Sequence, residues 1–226
     1  MLLAIDTATR MMSIALHDGT RLLAEQSYEM GNRQTIELAP AIRHMMAACE
    51  VEMNELTAIA AAIGPGSYTG VRIGVSLAKG LASANQLPLV GMSTLDTLAY
   101  GQPYFQSGMG LVAVAQAGRG RVIVQTYRWR KGAWHSRTEP RLMDWETLLQ
   151  TIDGAAYITG EINAAALEMI QSANNEQILV APGAHRLRRA GYLAECAWEK
   201  LRAAGEDKSA FEPAKLLPVY IQEDVS

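Results

Sequence analysis

The sequence has few of the side chains from which metal sites and disulfide frameworks are built. It contains two cysteines and four histidines among 226 residues. Cys49 and Cys196 are far apart in apolar patterns of helical spacing, and no C-x-x-C, H-x-x-x-H or H-E-x-x-H motif occurs. These absences exclude a disulfide scaffold and the common metal motifs, so we expect no metal site.

Long apolar runs and a strong net charge are also missing. No apolar run approaches the roughly 20 residues that span a bilayer, and residues 1–6 lack a basic segment before a long apolar core. The formal net charge is −3, so no global basic field holds nucleic acid. Short arginine clusters at 119–121, 128–131 and 186–189 are typical of a solvated face. We expect a cytoplasmic globular protein with no membrane contact.

Neither common nucleotide-binding glycine motif occurs, but one glycine-rich loop stands out. GPGSYTGVRIG at residues 64–74 follows an apolar run at 59–63 and precedes an apolar segment at 71–85. A strand, a glycine turn and a helix in this order point free backbone N–H groups beyond the strand end. The alternative is a tight turn without a ligand. The candidate nucleotide or junction residues here are Gly64, Gly66, Ser67, Thr69, Gly70 and Arg72.

A strand meander opens the chain, with predicted strands at residues 2–5, 13–17 and 21–28. The first hairpin carries Asp6, Thr7 and Thr9, which we add to the candidate junction residues. Both this hairpin and the glycine loop follow strands of one predicted sheet, and ligand crevices lie beyond strand ends in such sheets. We therefore expect the two segments to face each other.

Two predicted helices, at residues 34–50 and 71–85, are candidates for a partner surface. The second is apolar on nearly every side, and such a helix must be covered all round. A single small lobe does not supply that cover, so we expect a partner or a second copy of the chain to do so. The predicted interface residues are Ile36, Ala39, Met46, Val71, Gly74, Val75, Ala78, Lys79, Leu81 and Ala82.

After a break at residues 101–103, the second half of the chain repeats the strand meander with which the first half begins. Strands are predicted at 111–115, 121–129 and 134–137, and later at 157–160 and 178–180. Helices are predicted at 145–151, 163–172 and 191–204. A second meander of this kind indicates a duplicated fold.

Three segments together resemble the TsaB family, also called YeaZ: AIDTAT at residues 4–9, GPGSYTGVRIG at 64–74 and PVYIQ at 218–222. The resemblance implies an α/β protein of the actin-like and Hsp70-like (ASKHA) class, a duplicated ribonuclease-H-like fold. Each of its two lobes would hold a mixed sheet with flanking helices. We expect an N-terminal lobe at 1–102, with the glycine loop and partner helices, and a smaller, degenerate C-terminal lobe at 103–226.

The resemblance also implies a role. TsaB proteins are the non-catalytic dimerization subunits of the bacterial machinery that makes tRNA threonylcarbamoyladenosine. They pair with the catalytic TsaD subunit and, with it, recruit the TsaE ATPase. The expected partners are therefore TsaD- and TsaE-type subunits, a second copy when the chain is alone, and tRNA only through the complex. No cofactor is expected in the isolated chain, while ATP or ADP is a candidate at the junction of the complex.

Four positions depart from the related patterns. Ala8 replaces the glycine of the superfamily's D-x-G-T hairpin, Gln34 replaces a histidine, and Gln222 replaces an arginine. Gln116 lies where relatives carry aspartate, and a carboxylate is the ligand through which magnesium is normally held. We expect no catalytic residue. Two alternatives stay open: an active small-molecule kinase, which Asp6 favours, and a peptidase, for which Ser67 lacks a histidine or aspartate partner nearby.

Overall fold

The computed structural model describes residues 1–31, 33–105 and 108–221, so Gln222 lies outside the described residues. The first of its two mixed sheets is built around the opening strand, which pairs antiparallel with the second strand and parallel with the fourth. The strand order is β3-β2-β1-β4-β5. The strands are β1 (Leu2–Asp6), β2 (Met11–His17), β3 (Leu22–Glu29), β4 (Ala58–Ala62) and β5 (Leu89–Met92).

The second sheet repeats this plan. Its order is β11-β10-β6-β7-β8, with β9 also paired to β7. The central strand β6 runs antiparallel to β7 and parallel to β10, as β1 does to β2 and β4. This equivalence confirms the predicted duplication. The strands are β6 (Gly110–Gln116), β7 (Val122–Arg130), β8 (Ala133–Ser136), β9 (Arg141–Met143), β10 (Ala156–Gly160) and β11 (Ile178–Val180).

Six α-helices connect and cover the sheets within the described ranges. They are α1 (Gln34–Ala48), α2 (Tyr68–Ala84), α3 (Thr94–Tyr100), α4 (Trp145–Thr151), α5 (Ala164–Ser172) and α6 (Ala190–Ala204). Helix α2 begins three residues before the predicted start because Ser67 is its N-cap: the Gly70 N–H donates to Ser67 Oγ at 3.2 Å. None of the helices in these ranges is both long and apolar enough to cross a membrane.

Each of two helices, α3 and α6, packs on the sheet that the other half of the chain forms. Leu193 and Ala197 of α6 belong to the apolar core of the first sheet, whereas Leu95 and Leu98 of α3 belong to a core of the second. The predicted boundary at residue 102 lies between the two sheets. Helix α3 precedes it but packs on the second sheet, and helix α6 follows it but packs on the first. The exchange ties the two halves together.

Helix α2 is covered within the monomer, which corrects the expectation that one lobe cannot cover it. Val71, Val75, Ala78 and Ala82 are buried in the core of the first sheet. Helix α1 flanks α2 on one side, and the turn at Pro213–Lys215 contacts it on another. Its remaining side is open to solvent, where Arg72 and Ser76 are exposed.

Candidate functional site between the lobes

The first hairpin and the glycine loop are in direct contact. Thr7 Oγ1 donates to the Gly70 carbonyl oxygen at 2.7 Å, and the Ser67 N–H donates to the Ala8 carbonyl oxygen at 2.6 Å. The Gln34 side chain joins them from the start of α1, its Nε2 donating to the Thr9 carbonyl oxygen at 2.5 Å. The prediction that the two segments face each other is confirmed.

Close packing explains the glycines of the loop. A Cβ on Gly66 would collide with the Ala8 carbonyl oxygen, one on Gly70 with the Thr7 carbonyl oxygen, and one on Gly74 with Thr7 Oγ1. Gly64 has φ +99°, which only glycine adopts readily. These positions require glycine for backbone contact inside the protein, so the glycine pattern by itself is no evidence for a ligand.

A buried ion cluster lies beneath the cleft between the two sheets. Arg188 Nε donates to Asp6 Oδ2 at 3.1 Å, and Arg188 Nη1 lies 3.6 Å from Glu161 Oε1. The same guanidinium donates to Thr9 Oγ1. Burial disfavours the charged guanidinium, but the carboxylates of Asp6 and Glu161 outweigh it and raise the pKa of Arg188. Arg188 is therefore a permanent cation within the protein.

The cluster connects equivalent points of the two repeats. Asp6 ends β1, the central strand of its sheet, and Gln116 ends β6, the central strand of the other. The Gln116 N–H donates to Glu161 Oε2 at 2.8 Å, and the Ala8 N–H donates to Asp6 Oδ1 at 2.8 Å. Both oxygens of Asp6 thus already accept hydrogen bonds from the protein.

Sequence reasoning missed Arg188 and Glu161. The cluster at residues 186–189 was interpreted as a solvated face, which is wrong for Arg188, since only 4% of that residue is exposed. Its partner Asp6 is 182 residues away in the chain. No local pattern marks such a pair, and only the tertiary fold reveals it.

Above the cluster, a cleft of about 750 Å³ opens to solvent. The hairpin and the glycine loop form one wall, and the turn between β6 and β7 forms the other. Of the predicted junction residues, Thr9, Gly66 and Ser67 line this cleft, and Arg10 and Arg119 add positive charge. Its volume is typical of a small-molecule site.

The other predicted junction residues do not line the cleft. Asp6, Thr7, Gly64 and Gly70 are buried below it. Thr69 and Arg72 are exposed beside it.

Arg72 is engaged by the C-terminal tail. Its guanidinium lies 3.8 Å from the centre of the Tyr68 ring, and its Nε donates to Tyr220 Oη at 2.9 Å. The Val219 N–H donates to the Ile63 carbonyl oxygen at 2.8 Å, which fixes the tail beside the glycine loop. The tail is therefore part of the rim of the cleft.

The predicted partner surface needs correction. Six of its ten residues are buried within the lobe and do not form an outer surface: Met46, Val71, Gly74, Val75, Ala78 and Ala82. Lys79 is directed to the tail, where its Nζ donates to the Ala214 carbonyl oxygen at 3.5 Å. Ile36, Ala39 and Leu81 retain exposure.

Ala39 and Leu81 lie on an apolar surface along α1 and α2, and Ile36 adjoins it because residues three apart are neighbours on a helix. Two shallow cavities of about 410 and 510 Å³ lie on it, and Ala39 and Leu77 line both. Ile36, at the start of α1, is 69% exposed. An isoleucine this exposed beside apolar grooves is a candidate contact for another protein.

The described residues do not assemble a metal site. No group of three histidine, cysteine, aspartate or glutamate side chains in those ranges is placed to hold an ion. The carboxylate best placed for magnesium in this fold, Asp6, is paired with Arg188. The donor set therefore does not fit a magnesium–nucleotide complex bound as in an actin-like kinase.

Two repeated mixed sheets with a cleft between them define the actin-like class of α/β proteins. The fold is shared with component A of (R)-2-hydroxyglutaryl-CoA dehydratase from Acidaminococcus fermentans. That structure aligns with a TM-score of 0.54 at 12% identity, over 88% of this chain and 98% of the other. A likeness at this level of identity concerns the fold alone.

Nearer relatives identify the family. YeaZ from Pseudomonas aeruginosa has a TM-score of 0.78 and 26% identity, over 97% of this chain and 99% of that one. The tRNA threonylcarbamoyladenosine biosynthesis protein TsaB of Bacillus subtilis is 29% identical over 98% of this chain and 93% of its own length. TsaB of Escherichia coli is 37% identical over 59% and 58%. The family model for TsaD, tRNA N6-adenosine threonylcarbamoyltransferase, matches residues 30–218. The chain belongs to the TsaB (YeaZ) family.

Proposed function

We propose that this chain is a scaffold subunit in tRNA threonylcarbamoyladenosine biosynthesis. It pairs with a TsaD-type catalytic subunit and, with it, recruits a TsaE-type ATPase for threonylcarbamoyl transfer to adenosine in the tRNA anticodon loop. The names of its TsaB relatives support the pathway. The match of residues 30–218 to the TsaD model supports association with a subunit of related fold.

The buried ion pair of Asp6 and Arg188 is the observation that carries the non-catalytic role. An actin-like kinase needs carboxylates at the cleft that are free to hold hydrated magnesium. Here Asp6 is neutralised by Arg188, and the equivalent strand β6 ends in the uncharged Gln116. Freeing Asp6 from Arg188 would leave a buried carboxylate without its cation, which is strongly unfavourable. The chain therefore supplies a fold related to kinases without the charges of a kinase site.

The apolar surface of α1 and α2 supports the pairing. We propose that it contacts the TsaD-type subunit in the complex and a second copy of the chain when purified alone. Stable interfaces bury on the order of 800 Å² per partner, which two helices can provide.

The cleft is a candidate nucleotide site at the junction of the complex. If the complex holds ATP or ADP there, Arg10 and Arg119 would face its phosphates.

Hydrolysis of ATP by the isolated chain distinguishes this role from the alternative of an active small-molecule kinase. Asp6 at the end of β1 is the feature that favours a kinase. We expect no ATP hydrolysis or phosphoryl transfer above the background of a mock purification, with or without magnesium. A turnover of about 1 per second, ordinary for an enzyme, would refute the scaffold role. Loss of that turnover in an Asp6→Asn variant that is still folded by circular dichroism would assign it to this cleft.

A further inference from the structure

A second cavity, of about 460 Å³, lies between α3, α6 and the hairpin of β7 and β8. It shares no lining residue with the cleft between the lobes, and none of the predicted site residues lines it. The proposed function therefore leaves this cavity without a role.

Aromatic rings form much of its wall. Tyr100, Tyr127, Trp129 and Trp134 all line the cavity. The two tryptophans are cross-strand partners whose rings meet edge to face, with centroids 5.4 Å apart and an interplanar angle of 77°. Tyr104 stacks on Trp129 with a centroid distance of 4.9 Å. These contacts hold the rings in fixed orientations, so the wall is formed before any ligand arrives.

Trp134 is fixed by a hydrogen bond as well. Its Nε1–H donates to the Gln102 carbonyl oxygen at 3.2 Å. The ring is therefore held from the side of α3 as well as by its strand partner.

The charge of the wall has one sign. Asp96 and Glu199 line the cavity, and no lysine, arginine or histidine does. Tyr127 Oη donates to Asp96 Oδ1 at 2.9 Å, and Tyr100 Oη donates to Glu199 Oε1 at 2.8 Å. These bonds place both carboxylates beside aromatic rings.

The negative charge of the wall affects the neighbouring Cys196 thiol. Burial and, after it, the charges of Glu199 and Asp96 together raise the pKa of the Cys196 thiol to about 12, and each of these effects is larger than the opposing effect of Lys200. Lys200 is the neighbouring cation, but its Nζ is directed to the Gly91 carbonyl oxygen at 3.4 Å and does not line the cavity.

We propose that this cavity binds the alkylammonium group of a small organic cation. The aromatic faces attract a cation through their quadrupoles, and this arrangement is the known means of recognising methylated ammonium groups. Asp96 and Glu199 line the cavity and supply the opposite charge.

The test compares choline with its neutral isostere 3,3-dimethylbutan-1-ol on the full chain. The two probes have the same shape and differ in charge. Intrinsic tryptophan fluorescence reports binding because Trp129 and Trp134 line the cavity. We expect choline to give a saturable change with a dissociation constant near the millimolar range, and the isostere to bind at least about tenfold more weakly.

Glu199→Gln tests the role of charge. Glu199 is exposed and glutamine keeps its shape, so the fold is retained. We expect choline binding to weaken by about threefold to tenfold. Glu206→Gln, an exposed position outside the cavity, is the matched control and leaves binding unchanged.

Equal binding of choline and its isostere, or no saturable signal up to roughly 50 mM, would overturn the proposal. So would choline binding that Glu199→Gln leaves unchanged.

Discussion

At the scale of single residues, Arg188 joins the two halves of the molecule. It contacts Asp6 at the end of the first sheet's central strand and Glu161 just beyond β10 of the second sheet. The pair with Asp6 is almost completely removed from water. In such a site the loss of one partner leaves a charge that neither solvent nor protein compensates.

Arg188→Met should lower the free energy of unfolding by about 3–5 kcal/mol, measured by urea denaturation. Arg21 provides the control, because 76% of its side chain and 27% of that of its partner Asp18 are accessible to solvent. Arg21→Met should cost no more than about 1 kcal/mol. Equal losses from the two substitutions would contradict the structural role assigned to Arg188.

The Cys196 thiol should make stability fall at alkaline pH. Its pKa is raised from 9.0 to about 12, first by burial and then by the charges of Glu199 and Asp96. The folded state therefore keeps a proton that the unfolded state releases, so this contribution is complete below about pH 9 and is lost as pH rises toward 12.

Cys196→Ala isolates that contribution. The difference in free energy of unfolding between wild type and variant should shrink between about pH 8 and pH 11, while tyrosines and other titrating groups cancel in the comparison. A difference that stays constant over this range would show that the thiol does not titrate as described.

At the scale of elements, helix α2 contains two glycines in opposite situations. Gly74 faces the hairpin, where a Cβ would collide with Thr7 Oγ1, itself fixed by its hydrogen bond to Gly70. Gly80 is exposed, with no heavy atom within 4 Å of an added Cβ.

Gly74→Ala should destabilise the protein by about 1–3 kcal/mol through overpacking. Gly80→Ala should stabilise it by up to about 1 kcal/mol, since alanine favours the helix and restricts the unfolded chain. Urea denaturation of both variants measures these two changes in the free energy of unfolding. Similar effects of the two substitutions would mean that the hairpin does not press on α2 as the structure has it.

Local sequence patterns predicted most elements because their causes are local. The sequence patterns located α1, α2 and α4 to within a few residues, and the two meanders predicted the duplication. The short strand β9 was missed, since three residues carry too little pattern. The partner surface was misplaced on buried residues such as Ala78, because composition shows that a helix needs cover but not where the cover comes from.

Long-range contacts account for the rest of the site. Helix α6, from the end of the chain, returns to the first sheet, and Arg188 just before it reaches Asp6. No local sequence pattern predicts either of these contacts. The contact between the hairpin and the glycine loop was predictable, because both follow strands of one sheet.

At the scale of the whole molecule, the chain combines an apolar helix surface with a cleft whose nearest strand-end carboxylate, Asp6, is neutralised by Arg188. Both features fit a subunit that acts by assembly. The exposed Ile36 allows that surface to be changed without touching the core. Leu179 on β11, which is 47% exposed, provides a matched position in the other sheet.

Size-exclusion chromatography with light-scattering detection tests the central claim most directly. The chain is mixed with a TsaD-type subunit from the same organism. Wild type and Leu179→Glu should elute with that subunit as one species of summed mass. Ile36→Glu should stay folded by circular dichroism but elute separately, because a carboxylate buried in an apolar contact is left without water or a partner cation. Failure of the wild type to associate, or association of Ile36→Glu as strong as that of wild type, would contradict a scaffold that acts through α1 and α2.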